Sequence, residues 1–386
     1  MVRTHRGRPG AGFSIHQSKI FDPAWVLIKS GSWLSVSGRG GPRDPDRRGD
    51  DFTRLPPDKF GPRRQDGSLD AFFSRVRQQS GDRPFGVNVH ALQLADPDLW
   101  MRFRAFVGAL TRHTRTLPTQ RWELDTFFGT YPMSPLGVHR DNASVFALGV
   151  VGRRTYYTWP AEYFQPGDRA LHKPDRAVVE PHLPHATRMD AAPGDLVYWP
   201  SSHWHLATSS GEPSAVVQVS AYFGRRVSDL MAEMVRRIVA ERLGPSDHLL
   251  EYPLAEDRAD LPAVLADACD AAARAAADGK LARRMRRFWL NRVSADGFDV
   301  IAPLQADAEL DDDDAVSLAV PITWSETAPG HCVVAANGHS MSAGGAKPLL
   351  ERLAAGETVR VADADESQRS VLRFLLRARA VRKELR

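Results

Sequence analysis

Short runs of alternating apolar and polar residues, rich in aromatic and β-branched side chains, crowd the middle of the chain. They lie at 121–131, 144–151, 154–159, 195–199 and 215–223, with turn-forming residues between them. Side chains on a strand alternate between its two faces, so this pattern predicts half-buried strands, and the spacing predicts an antiparallel barrel or sandwich. Ahead of them "FGVNVHAL" (85–92) is strand-like, and "DPDLWMRFRAFVGALTRH" (96–113) has helical periodicity, with Asp96 as its N-cap and Leu99, Phe103, Phe106 and Val107 on one face. After Gly224 the texture changes. Residues 227–243 and 261–293 read as helical, Ala-rich and Arg-rich. From about residue 298, strands at 316–321, 331–336 and 358–361 mix with helices at 346–355 and 366–379, the element order of a small winged helix. Residues 37–67 are dense in Gly, Pro, Arg and Asp and predict a long surface loop or a poorly ordered segment, while "DDDD" at 311–314 reads as a solvated loop. No internal repeat is visible.

Composition narrows the class. With 42% hydrophobic and 25% charged residues the chain can bury a sizeable core, and its 386 residues suit two or three domains. A formal charge of +4 is too small a surplus to require nucleic acid as a partner. Two cysteines offer no disulfide framework, which suits a reducing compartment. The basic start "MVRTHRGRPGAGFS" is followed by no apolar stretch of the kind a signal peptide needs, and no run reaches the roughly 18 apolar residues of a membrane span. A cytoplasmic protein without a membrane partner is the expectation.

Chemistry concentrates in "GVHRDNASVFALGVVGRR" (137–154). On a strand His139 and Asp141 share a face and can grip one ion, with Arg140 turned away. A third ligand has to come from elsewhere, and "PGDLVYWPSSHWHLA" (193–207) offers a histidine-bearing segment after a short strand ended by Pro200. Two histidines and one carboxylate form the facial triad of non-haem iron(II), which leaves positions open for co-substrate and oxygen. The same ligand types also suit zinc.

Taken together, "HRD" and "GDLVYWPSSHWH" resemble the Jumonji-C oxygenases, cupin-like iron(II)- and 2-oxoglutarate-dependent enzymes, and within them the hydroxylases of ribosomal proteins and the asparaginyl hydroxylase of hypoxia signalling. The resemblance spans roughly residues 85–225. It implies that the distal histidine is the one five residues after the Pro of the Gly-Asp-x-x-Tyr-x-Pro element, His205 rather than His203. It also implies that a basic residue thirteen after the metal-binding Asp, here Arg154, pairs with the distal carboxylate of 2-oxoglutarate. Its planar fork matches a carboxylate. Ser220 and Tyr222 fall where the last barrel strand of the family approaches the co-substrate. Where some relatives carry a Thr three residues before the first metal histidine, this chain has Leu136, so another hydroxyl must assist Arg154: Thr130, Tyr131, Ser134 or Ser144. Arg153 is expected to face solvent, and His182 and His185 to lie in a loop.

The resulting expectation is an α+β chain. An N-terminal segment with a flexible loop (1–84) precedes a double-stranded β-helix, the cupin or jelly-roll barrel (85–226). A helical dimerisation region (227–297) and a winged-helix-like domain (298–386) follow. The resemblance implies a dioxygenase that binds Fe(II) through His139, Asp141 and His205, consumes 2-oxoglutarate and O2, and hydroxylates a side chain of a peptide or protein: a ribosomal protein or a ribosomally made peptide. A small-molecule oxygenase, a zinc-dependent cupin and a non-catalytic binding or dimerisation protein are the rival readings. The zinc reading has no use for Arg154 at that spacing, and the intact ligand set argues against a vestigial site. Leu230, Met231, Met234, Ile238, Val239, Phe288, Trp289 and Leu290 predict a two-fold homodimer. "AKPLLERLAAGE" (346–357) is too weakly basic for a nucleic-acid recognition helix.

Overall fold

Alternating burial along the central segments builds two antiparallel sheets that face each other. A computed structural model describes residues 33–38, 51–54, 60–81, 84–94, 97–134, 136–168, 170–171, 176–248, 261–299 and 301–384, which divide into two compact units meeting between Phe223 and Gly224. The chain is α+β, and every pairing between its named strands is antiparallel.

In the first unit the strands are β1 (Trp33–Gly38), β2 (Asp51–Arg54), β3 (Phe85–Val89), β4 (Arg121–Gly129), β5 (Ala143–Val151), β6 (Arg154–Trp159), β7 (Thr187–Ala191), β8 (Leu196–Trp199), β9 (Trp204–Thr208) and β10 (Ser214–Tyr222). The larger sheet runs β2-β1-β3-β4-β10-β5-β8, and the smaller runs β7-β6-β9. Such two-sheet packing is what a jelly-roll barrel requires. Registry across the larger sheet sets Asn88 opposite Phe127, Asp125 opposite Gln218, and Ser220 opposite Glu123, which gathers polar side chains on its inner face.

The outer face of that sheet is sealed by apolar stripes on two helices, α1 (Leu69–Ser80) and α2 (Pro97–Thr114). On α1, Leu69, Phe72, Phe73 and Val76 are buried, spaced three and four apart as one helix face demands. Phe72 meets Phe85 and Phe128 edge-on at 6.1 and 5.2 Å. Ser68 caps α1 by accepting from the Ala71 N–H. Leu99, Phe103 and Val107 are buried on α2, with Trp100 beside them, and Phe106 is edge-on to Phe146 of β5. The expected cap Asp96 lies outside the described residues.

Two expectations need correction here. The stretch 37–67 is not loop throughout: β2 pairs with β1, and β1 pairs with β3, so the larger sheet takes strands from before residue 85. The helical stretch 261–293 is two helices, because Gly279 adopts φ 73°, a left-handed turn that side chains with a Cβ resist.

The second unit contains α3 (Val227–Leu243), α4 (Ala263–Ala277) and α5 (Lys280–Ser294). These are followed by β11 (Ala315–Leu318), β12 (Thr323–Ala328), β13 (His331–Ala336), β14 (His339–Gly344), α6 (Lys347–Ala354), β15 (Val359–Arg360), α7 (Glu366–Arg377) and β16 (Val381–Lys383). Two small sheets, β12-β13-β14 and β15-β11-β16, share a core with α6 and α7 built on Val334, Leu349, Leu350, Leu353, Val371, Leu372 and Leu375. A capping box between Asp365 and Gln368 starts α7. Leu290 of α5 packs with Val333 and Ala335 of β13. Met234, Ile238 and Leu290 are buried within this unit rather than held out for a partner, whereas Trp289 stays 56% exposed. No helix among the described residues is long and apolar enough to cross a membrane.

The aromatic seal beneath the larger sheet should be costly to open. Phe72→Ala is expected to lower unfolding free energy by about 3–5 kcal/mol, the usual range for removing a buried phenyl ring. Urea denaturation followed by fluorescence measures it.

Candidate active site

A cavity of about 250 Å³ opens between the two sheets. The larger sheet lines it with Asn88, Asp125, Phe127, Gln218, Ser220 and Tyr222, while β6 and β9 contribute Arg154, Tyr156, His205 and Ala207. His139 and Asp141 enter from the segment just ahead of β5.

That segment is not a regular strand, as the His-x-Asp spacing alone predicted. His139 instead forms an isolated antiparallel bridge to His205: its N–H donates to the His205 carbonyl at 3.1 Å, and the His205 N–H donates back at 2.8 Å. Each imidazole is thereby fixed beside the other, with ring centroids 4.2 Å apart. Asp141 Oδ2 lies 3.8 Å from His139 Nε2 and 3.6 Å from His205 Nε2. All three ligand atoms fall within 4.8 Å of one another, a spread that one divalent ion can close.

Proton positions also suit a metal. His139 Nδ1 is 3.0 Å from the Gly137 carbonyl. It must donate there, which fixes the tautomer and leaves Nε2 with a free lone pair. His205 is 6% exposed. Burial, with His139 beside it, holds its imidazole well below the usual range, and the His203 backbone opposes this weakly. It is therefore neutral at physiological pH, as a ligand must be. Trp199 lies against it at 5.0 Å and Tyr156 against Trp199 at 4.9 Å, which closes that wall with aromatic surface.

Arg154 is 2% exposed inside the same cavity. Its Nε donates to Ser214 Oγ at 3.1 Å, one terminal nitrogen donates to the Tyr131 hydroxyl, and its guanidinium carbon stands 4.5 Å from the centre of the Tyr131 ring. No carboxylate of the chain is paired with it among the described residues. A buried guanidinium held only by neutral groups is a ready receptor for an anion from outside. Burial raises the phenols of Tyr131 and Tyr156, the latter to about 12, so both remain neutral donors.

Other residues singled out in the sequence separate into two groups. Ser220, Ser134 and Tyr222 line the cavity. Thr130 and Ser144 do not: the Thr130 hydroxyl accepts from the Phe85 N–H and that of Ser144 accepts from the Ser201 N–H, so both brace strand ends. His203 sits in the turn before β9 beside Ser202, away from the ligand cluster. Arg153 is exposed as expected, and His182 and His185 lie on a short 3-10 turn, where His182 contacts Tyr163. Ser214 was not anticipated. It reaches Arg154 only through sheet pairing, and nothing in its neighbourhood announces that role. His90, Glu123 and Asp125 also escaped notice; the alternating acids of "WELDTF" were the available signal.

No family model matches the chain, and no curated protein matches it in sequence. Among solved structures it is similar to YcfD, a ribosomal oxygenase from Escherichia coli. One such structure is 16% identical and covers 92% of this chain and 86% of that one, with a TM-score of 0.43. The same protein in complex with cobalt and succinic acid gives 16% identity, the same coverage and a TM-score of 0.44. Its complex with cobalt and 2-oxoglutarate gives 15%, 92%, 86% and 0.42.

Neutral His205 carries a signature in pH. Its stabilising contribution is present above the ordinary value of 6.5 and is lost as pH falls from there towards the depressed folded value, because the unfolded chain takes up the proton first. Metal-free wild type should therefore lose stability on acidification faster than His205→Gln. Thermal melts of both proteins across about pH 5 to 8 give the difference.

Proposed function

We propose that the chain is an iron(II)- and 2-oxoglutarate-dependent dioxygenase that hydroxylates a side chain of a peptide or protein substrate. One observation carries this reading: a cluster of two imidazoles and a carboxylate shares a single cavity with a buried guanidinium that lacks a carboxylate partner. A reaction that joins a metal to an anionic co-substrate uses both.

His139, Asp141 and His205 would hold Fe(II), which when bound supplies the activation of dioxygen coupled to oxidative decarboxylation of 2-oxoglutarate. The chain's own task is placement. Arg154 would grip the distal carboxylate, and Tyr131 and Ser214 hold the guanidinium in position before the co-substrate arrives. Ser220, on the opposite sheet, is close enough to the cavity to offer a further hydroxyl. Trp199 and Tyr156 keep water from the wall behind His205. No side-chain nucleophile or general base is required.

The second unit is assigned to partner binding. Its β-rich core with α6 and α7 would act as a winged-helix-like dock for a ribosomal protein or a ribosomally made peptide. The exposed Trp289 and Val227 would join two copies through α3 and α5. Light scattering on the intact chain should give twice the monomer mass, and Val227→Glu with Trp289→Glu should give a folded monomer.

Activity tests are direct. His139→Ala, Asp141→Ala and His205→Ala should each abolish iron-dependent succinate release, whereas His203→Ala should retain most of it. Arg154→Ala removes a charge-assisted contact of about 2–3 kcal/mol and should raise the KM for 2-oxoglutarate roughly 30- to 150-fold, with iron content unchanged. A product heavier by about 16 Da, one oxygen atom, identifies the substrate by mass spectrometry. Iron-independent behaviour of all three ligand variants would overturn the assignment.

A further inference from the structure

The opposite wall of the cavity carries a second group of ligand-type atoms that the proposed oxygenase chemistry does not use. Glu123 and Asp125 stand two residues apart on β4 and share its inner face, 7% and 2% exposed. His90, just after β3, reaches them: its Nδ1 is 2.8 Å from Asp125 Oδ1 and 3.8 Å from Glu123 Oε1. Arg121 pairs with the other oxygen of Glu123, Oε2, so Oε1 is left turned towards the histidine. One atom from each of the three residues lies within 4.8 Å of the others, the same closeness that the His139, Asp141 and His205 set achieves.

From this arrangement we infer a second divalent-cation site, formed by His90 Nδ1, Glu123 and Asp125, for a first-row transition ion such as Mn²⁺, Fe²⁺ or Co²⁺. One imidazole with two carboxylates is a ligand set of that class. Two buried carboxylates side by side are costly unless compensated; Arg121 and a proton on His90 compensate them in the metal-free chain, and a dication would replace that proton. A ligand imidazole bound through Nδ1 must carry its proton on Nε2 and needs an acceptor there. Asn88 fills that place. Its side chain is 3.1 Å from His90 Nε2, and its buried Oδ1 has no hydrogen-bond partner. Turning the amide over would present that oxygen to the Nε2–H of the metal-bound form. Because His90 and Asp125 line the cavity that the substrate must enter, an ion here would present open positions to the substrate rather than to 2-oxoglutarate.

The site competes with a proton on His90, whose imidazole is raised chiefly by its bond to Asp125, so occupancy is expected to increase with pH. The test uses the intact chain dialysed against Co²⁺ at about pH 8, with bound metal counted by elemental mass spectrometry. Wild type should hold about two equivalents. His139→Ala with Asp141→Ala should hold about one, Glu123→Gln with Asp125→Asn about one, and the combination of all four none. The milder His90→Gln, at a half-exposed position, repeats the loss should the double carboxylate variant fail to fold. A wild type with one equivalent that disappears in His139→Ala with Asp141→Ala overturns the second site while sparing the oxygenase reading. Loss confined to the His90, Glu123 and Asp125 variants supports the second site and sinks the first. Metal content indifferent to His90→Gln overturns the proposal.

Discussion

Two backbone hydrogen bonds between His139 and His205 hold the candidate site together. They join a segment ahead of β5 to β9, and so bind the larger sheet to the smaller one at the point where the imidazoles meet. A metal could not create this closeness unaided, because a flexible pair of histidines would lose much of the binding energy to ordering. The bridge has already met that cost. Asp141 then needs only to extend from the same short segment, and the Gly137 carbonyl sets which nitrogen of His139 is free.

Arg154 illustrates the same economy in electrostatics. Burying a guanidinium without a counter-ion is expensive, and Tyr131 and Ser214 meet the cost only in hydrogen bonds. The remaining deficit makes the residue a receptor for an anion: in the proposed function an incoming carboxylate would supply the charge that the chain withholds. The facing wall is acidic instead. Arg121 and a proton on His90 balance Glu123 and Asp125, and a cation that entered would take the place of that proton. The cavity is therefore polarised across its width, with an anion receptor on the smaller sheet and an acidic wall on the larger.

Stability comes from elsewhere. The polar inner face is offset by apolar packing on the outer side, where Phe72, Phe85 and Phe128 meet edge-on beneath α1, and Trp100 and Phe103 of α2 continue the layer. The two functions of the larger sheet, support and chemistry, fall on opposite faces because strand side chains alternate. In the second unit the alternation serves packing alone, and the helices expected to be free for a partner bury Met234, Ile238 and Leu290 against their own sheet and neighbours.

Elements with strong local periodicity were legible from the chain alone. The helix at 227–243 and the strand at 154–159 are found with the same limits. His139 and Asp141 stand out as an imidazole and a carboxylate two residues apart, whereas His205 and Arg154 were pointed to by the family resemblance. What depended on tertiary structure was everything carried by pairing between distant strands. The hydroxyls that serve Arg154 are Tyr131 and Ser214 rather than Thr130 or Ser144, because registry, not sequence proximity, decides which oxygen faces inward. The acidic wall was invisible for the same reason. Glu123 and Asp125 look like the solvent face of an ordinary strand until β3, β10 and the smaller sheet enclose them, and only burial turns two routine carboxylates into a site.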